Sequence, residues 1–287
     1  MVIRLLQGLT LLYAFAFICG LILVGAGLLS SWLEWATGFY LILGGLTALV
    51  WYVSRYGKRQ TVFLFVITAS VSYAAEWIGA HTELWFGGYE YGLAFAPLLF
   101  GVPLAVPFAW CMLLITGKAL APVRIPADSW RGLTLAETQA PNKRKLLRAR
   151  RRIRRRSFWL PAVWGASMAA AVVLLLNPAA IKLRYGAWKA GLGQSGWPAF
   201  YDIPLSNFLC WWLIALLILK LVNYLHDEYF RMIRTSSSIV SLPVMLLITL
   251  EALFLTLALR SGLGWAAALN LLLLSGLLLW KRTEERA

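Results

Sequence analysis

The chain has 287 residues, 61% of them hydrophobic and only 14% charged, with a formal net charge of +15. Soluble domains carry charge on about a quarter of their residues. Here the apolar residues fall into runs of about twenty, the length that crosses a bilayer as a helix with its backbone polar groups satisfied internally. This excludes a soluble enzyme. The basic residues are concentrated between apolar runs, so membrane topology explains them and a nucleic-acid partner does not.

The expected fold is all-α: a polytopic integral membrane protein with about eight transmembrane helices, forming a single transmembrane domain over residues 1–287. The first span runs from Leu5 to Leu29, with an apolar core too long for a cleaved signal peptide. The second runs from Trp32 to Val53, and Arg55, Lys58 and Arg59 form a short basic loop. The third, Thr61 to Ile78, delivers Glu76 near its end. The fourth, Leu93 to Ile115, contains Pro97, Pro103 and Pro107, which predict a kinked or partly unwound helix. Residues 117–156 form a basic loop ending in the run Lys143–Arg156. That run reads as a topology anchor, with a helix lying on anionic membrane lipid as the other reading. Spans five to eight are Phe158–Leu176, Ile203–Leu225, Ile239–Leu259 and Trp265–Trp280.

An N-terminus on the cytoplasmic side leaves 22 of the 27 lysines and arginines on that side. The expectation is therefore a multi-pass protein of the cell membrane with both termini and the basic loop cytoplasmic. Two polar, aromatic connections then share the outer face: Glu76–Tyr91 and Asn177–Asp202. They echo each other. Phe100-Gly-Val-Pro103 aligns with Tyr201-Asp-Ile-Pro204 at an offset of 101 residues, which also places Glu76 on Asn177. Spans three and four thus read as a parallel repeat of spans five and six, and sites in repeat-built membrane proteins tend to lie where the repeats meet.

Glu76 is the strongest chemical candidate. It is an acid about one turn from the end of an apolar helix, with Ser72 and Tyr73 on neighbouring parts of its face, and intramembrane acids are functional by default. His81 follows as a proton relay, a water-orienting group or a hydrated loop residue. Asp202 reads as a second acid, a base for water, or a cap for span six. Glu83 and Glu90 read as solvated acids. Asn207 and Trp211, four apart, share one face of span six; a buried asparagine must be hydrogen-bonded, and water is a natural partner. Tyr73, Trp77, Trp85, Phe86, Tyr89, Tyr91, Trp188, Trp197, Tyr201 and Trp211 gather at the same outer face. Most are interfacial anchors, and a few can stabilise a cation in a dry pocket by about 2 kcal/mol or more. Glu251, mid-span in the seventh helix, is a further intramembrane acid. Two histidines cannot supply a di-iron cluster, and no DDxxD-like, P-loop or dinucleotide motif is present. Cys19, Cys111 and Cys210 lie in apolar runs as small hydrophobes. The available chemistry is proton transfer and water, with neither metal nor cofactor.

Glu76-Trp-Ile-Gly-Ala-His-Thr with Phe86-Gly-Gly-Tyr-Glu-Tyr91, Phe100-Gly-Val-Pro-Leu104 and Tyr201-Asp-Ile-Pro-Leu-Ser-Asn-Phe208 followed by Trp211 resembles the membrane-type carotenoid hydratases. These include gamma-carotene hydratase and bisanhydrobacterioruberin hydratase. The resemblance spans roughly Phe63 to Leu225, with Cys210 where the family usually has glycine before the tryptophan. It implies addition of water to the terminal double bond of an acyclic carotenoid, giving a tertiary alcohol. Protonating such an alkene needs a positioned acid, a pocket for a tertiary cation, and water delivered to one face. On this reading Glu76 or Asp202 is the acid, His81 or Asn207 orients water, and Trp77, Tyr89 and Trp211 flank the cation. Two other readings are a cyclase or isomerase using the same cation, and a non-catalytic scaffold associated with other carotenoid enzymes.

Overall fold

The computed structural model describes residues 1–28, 33, 35–82, 88–92, 95–122, 143–183, 186–188, 198–229 and 241–286. Glu83, Trp85, Phe86, Trp197 and residues 123–142 of the loop between the fourth and fifth spans lie outside these residues. The described residues form eight helices: α1 (Val2–Ala26), α2 (Trp35–Tyr56), α3 (Lys58–His81), α4 (Val106–Leu120), α5 (Lys143–Lys182), α6 (Leu205–Tyr229), α7 (Ser241–Arg260) and α8 (Gly264–Arg286). Seven are long and apolar enough to cross a membrane, and α4 is a shorter apolar helix of 15 residues. The all-α, eight-helix expectation is met.

Six short strands interrupt the helices: β1 (Tyr89–Tyr91), β2 (Leu98–Leu99), β3 (Val102–Pro103), β4 (Gly186–Trp188), β5 (Ala199–Phe200) and β6 (Ile203–Pro204). They account for the fourth span, which differs from the expected Leu93–Ile115 helix. Its first half is a β2–β3 hairpin, and the helix starts only at Val106. Pro97 precedes the hairpin and Pro103 closes it. Pro107 sits in the first turn of α4, where its missing N–H costs nothing. The fifth span is longer than expected. The basic run Lys143–Arg156 continues without a break into the apolar run as one 40-residue helix, α5. At 1.5 Å per residue that is about 60 Å, roughly twice the hydrocarbon thickness. Asn177, expected in the second connection, belongs to this helix.

α4 is the centre of the bundle. Every residue from Trp110 to Gly117 is buried, because α2, α3, α5, α6 and α7 all pack on it. A helix that is apolar all round fits such a place. α1 and α8 lie at the edge and expose large apolar side chains such as Leu11, Phe15, Trp265 and Leu272, as lipid-facing helices do.

The echo at offset 101 is structural. In the first hairpin Leu98 pairs with Pro103 and Leu99 with Val102. In the second Ala199 pairs with Pro204 and Phe200 with Ile203. Each partner is displaced by 101. Both turns have two central residues with positive φ: Phe100 at 46° and Gly101 at 79°, Tyr201 at 50° and Asp202 at 63°, the two-residue geometry that matches strand twist. The bonds that close each hairpin also match, Leu104 N–H to the Pro97 carbonyl and Leu205 N–H to the Pro198 carbonyl. The helices before the hairpins, α3 and α5, end at His81 and Lys182, again 101 apart. The halves cross over each other: α3 packs on α6 as well as on α4, and α5 on α4 as well as on α6. Gly117 and Gly165 make the α4–α5 crossing close, since a methyl at 117 would lie 3.0 Å from the Gly165 Cα. A β1–β4 ladder, with Tyr89 opposite Trp188 and Tyr91 opposite Gly186, joins the two connections.

Candidate functional site

α3 buries one stripe of residues: Thr61, Leu64, Thr68, Ser72, Glu76, Gly79 and Ala80. Their spacing of three, four and one is one face of a helix. Glu76 stands on this stripe near the C-terminal end and is only 2% exposed.

A carboxyl this dry is costly unless hydrogen-bonded, and three donors converge on it. The phenols of Tyr89 and Tyr91 both donate to Oε2, that of Tyr91 at 2.7 Å. The indole Nε1 of Trp110 donates to Oε1 over a longer 3.4 Å. Both tyrosines come from β1, where residues two apart point to the same face and Glu90 between them points to the other, and their rings meet edge-on at 5.4 Å. Burial, reinforced by the adjacent Glu76, holds the phenols of Tyr89 and Tyr91 well above their ordinary pKa. They therefore stay protonated and act as donors. Oε2 has two short donors, while Oε1 has one long one. Oε1 is thus the oxygen with room to carry a proton.

Gly79, one turn beyond Glu76, makes this arrangement possible. A methyl at position 79 would lie 2.8 Å from the Tyr89 ring and hydroxyl, so only glycine lets the phenol lie across α3 and reach the carboxyl.

Trp110 is also the link to the second half. Its ring stacks on that of Trp211, centroids 4.6 Å apart and planes 9° from parallel. The two tryptophans are 101 residues apart, so the stack marks the meeting of the repeats. Trp211, like Tyr91, in turn packs against the pair Ala80 and Tyr89. In the second half the position of Glu76 is held by Asn177, whose Nδ2 donates to Asn207 Oδ1 at 3.0 Å. Asn207 is fully buried, and its own Nδ2 has no partner.

The expected residues divide into groups. Glu76, Tyr89, Tyr91 and Trp211 come together, and Asn207 lies one turn before Trp211 on α6. Tyr73 donates to the Leu99 carbonyl and straps the β2–β3 hairpin to α3. Trp77 and His81 stack on each other at 4.8 Å; Trp77 is 44% exposed, and His81 Nδ1 bonds the Trp77 carbonyl at 2.9 Å. This pair faces outward, away from the buried stripe. Tyr201 and Asp202 occupy the β5–β6 turn, with Asp202 exposed and three residues ahead of the start of α6 at Leu205. Glu90, on β1, is likewise exposed. Trp110 was missed as a functional residue because it lies inside an apolar run. Its alignment with Trp211 was the available signal.

A family profile described as carotenoid biosynthesis protein matches residues 36–277. No curated protein and no solved structure gave a match.

Proposed function

Since the chain belongs to the carotenoid biosynthesis protein family, we propose that it is a cofactor-independent hydro-lyase that adds water across the terminal 1,2 double bond of an acyclic carotenoid end group. The observation that carries this reading is the buried Glu76 carboxyl, held by two phenols beside the Trp110–Trp211 stack.

The chemistry follows from the arrangement. A neutral Glu76 gives its proton from Oε1 to the terminal alkene carbon that becomes the CH2 group. The carbon bearing two methyls becomes a tertiary cation. The phenols of Tyr89 and Tyr91 stabilise the carboxylate left behind through charge-assisted hydrogen bonds, and the indole faces of Trp110 and Trp211 provide electron-rich surface for the cation. Water attacks the cation, forms the C–O bond, and returns a proton to Glu76. The balance is alkene plus water to tertiary alcohol, with the acid regenerated, and it needs neither metal nor redox group. We assign the orientation of that water to Asn207, with its buried unpaired Nδ2, in preference to the outward-facing His81. Glu76 is preferred to Asp202 as the acid because it is buried beside the tryptophan stack, whereas Asp202 lies exposed in the β5–β6 turn.

The substrate reading is a lycopene-like or longer polyene drawn from the surrounding lipid. The bundle is read as one transmembrane domain in the cell membrane, with both termini and the basic loop cytoplasmic, by the distribution of lysine and arginine. Association with other carotenoid enzymes would let an insoluble substrate pass between them.

The dryness around Glu76 favours one alternative, a cyclase or isomerase in which the same cation loses a proton instead of gaining water. Product mass decides. Co-expression with a lycopene-producing pathway, followed by chromatography and mass spectrometry, is expected to yield products heavier by one water per reacting end. Products of unchanged mass would establish the alternative, and unchanged lycopene would overturn both.

A further inference from the structure

A second buried carboxyl lies outside the site described. Glu251 is at the midpoint of α7 and 7% exposed; Asn270, on α8, is fully buried. Asn270 Nδ2 donates to the Ala171 carbonyl of α5 at 2.9 Å and to Glu251 Oε1 at 3.4 Å. Both amide hydrogens are thereby used. Two acceptor oxygens remain buried without a partner, Glu251 Oε2 and Asn270 Oδ1. No basic side chain neutralises Glu251 among the described residues, since Asn270 is its hydrogen-bond partner.

This pattern is chemically specific. A carboxyl and a primary amide are both planar, and a neutral acid pairs with an amide through two parallel hydrogen bonds, N–H to one carboxyl oxygen and O–H to the amide oxygen. If Glu251 were ionised, a negative charge would stand near a carbonyl dipole in the middle of the membrane, where an unpaired carboxylate is expensive. One proton removes the charge and supplies the missing donor to both orphaned oxygens at once.

We propose that Glu251 and Asn270 form an intramembrane proton-binding site, in which a neutral Glu251 donates through Oε2 to Asn270 Oδ1 while Oε1 accepts from Nδ2. With the Ala171 carbonyl, this acid–amide pair clasps α8 to α5 and α7. The clasp is independent of the hydratase reading, because it shares no hydrogen bond with the Glu76 cluster.

The test compares the purified full chain with Glu251→Gln and Glu251→Leu by thermal unfolding in detergent, in sodium and in choline chloride, and by infrared spectroscopy. A glutamine amide donates and accepts as a neutral carboxyl does. Glu251→Gln is expected to unfold at the wild-type temperature, and Glu251→Leu several degrees lower. The wild type minus Glu251→Gln infrared spectrum is expected to contain the carbonyl stretch of a protonated acid, shifted in heavy water. A carboxylate band in its place, equal destabilisation by Gln and Leu, or sodium-dependent stability lost in Glu251→Gln would overturn the proposal. Should Glu251→Leu fail to accumulate, the infrared comparison still decides.

Discussion

The two halves of the repeat share a backbone and differ in chemistry. Each consists of a helix, a tight hairpin with a left-handed aromatic in its turn, and a second helix that carries one tryptophan of the stack near its start. In the first half the helix before the hairpin presents Glu76 to three donors. In the second it presents Asn177 to another amide. One scaffold therefore offers a buried carboxyl in its first half and neutral amides in its second. A cation-forming reaction needs this division, since the proton must come from one group and water must be held by groups that do not compete for that proton.

Four substitutions break or sharpen the comparison. The largest effect is expected from Glu76→Gln, which makes the first half resemble the second. Hydrated product should fall by about 100-fold or more, the usual contribution of a general acid, with protein level in the membrane unchanged. Near-normal turnover would remove Glu76 from the acid's role. Gly79→Ala comes next. Its methyl displaces Tyr89 from the carboxyl, and turnover is expected to drop about tenfold, with about 1–3 kcal/mol of overpacking visible as a lower unfolding temperature. Unchanged turnover would show that Tyr89 need not touch Glu76.

Asn207→Leu tests the amide side. Asn177 loses its acceptor, at about 1–3 kcal/mol. If Asn207 holds the water, the variant still consumes substrate but diverts it to products of unchanged mass. A fall in all products together would point to packing alone. The smallest effect is expected from Asp202→Gly. Gly101 occupies the same turn position in the first half, and glycine accepts the positive φ without strain. Stability should change by no more than about 0.5 kcal/mol and turnover very little. A large loss of hydration would return Asp202 to the list of acids.

Much of this architecture was legible in the residues. Glu76 stood out because a carboxyl inside an apolar run is expensive, and Tyr89 and Tyr91 because a membrane hairpin seldom carries so many rings. The repeat was visible through Pro103 and Pro204. What failed to show was conformation. Pro97, Pro103 and Pro107 read as kinks because periodicity does not distinguish a distorted helix from a short hairpin packed inside the same span. Asp202 read as a second acid, a base for water or a cap, because a letter does not reveal that its backbone is left-handed and its side chain exposed. Trp110 was hidden by its neighbours: an indole in a run of leucines and methionines looks like filling until its N–H is seen to point at a carboxyl. The basic run Lys143–Arg156 read as a topology anchor or a helix lying on lipid; that it continues into the fifth span as one helix did not show, because its charge set it apart from the apolar residues that follow.

The Trp110–Trp211 stack has a spectroscopic consequence. Two indoles 4.6 Å apart and nearly parallel are close enough for their electronic transitions to couple, so the pair should contribute an exciton signal to the circular dichroism that neither ring produces alone. One ring belongs to each half of the repeat, so the signal serves as a built-in gauge of their docking. A polyene tip that entered between the halves and separated the rings would announce itself optically before any bond was made.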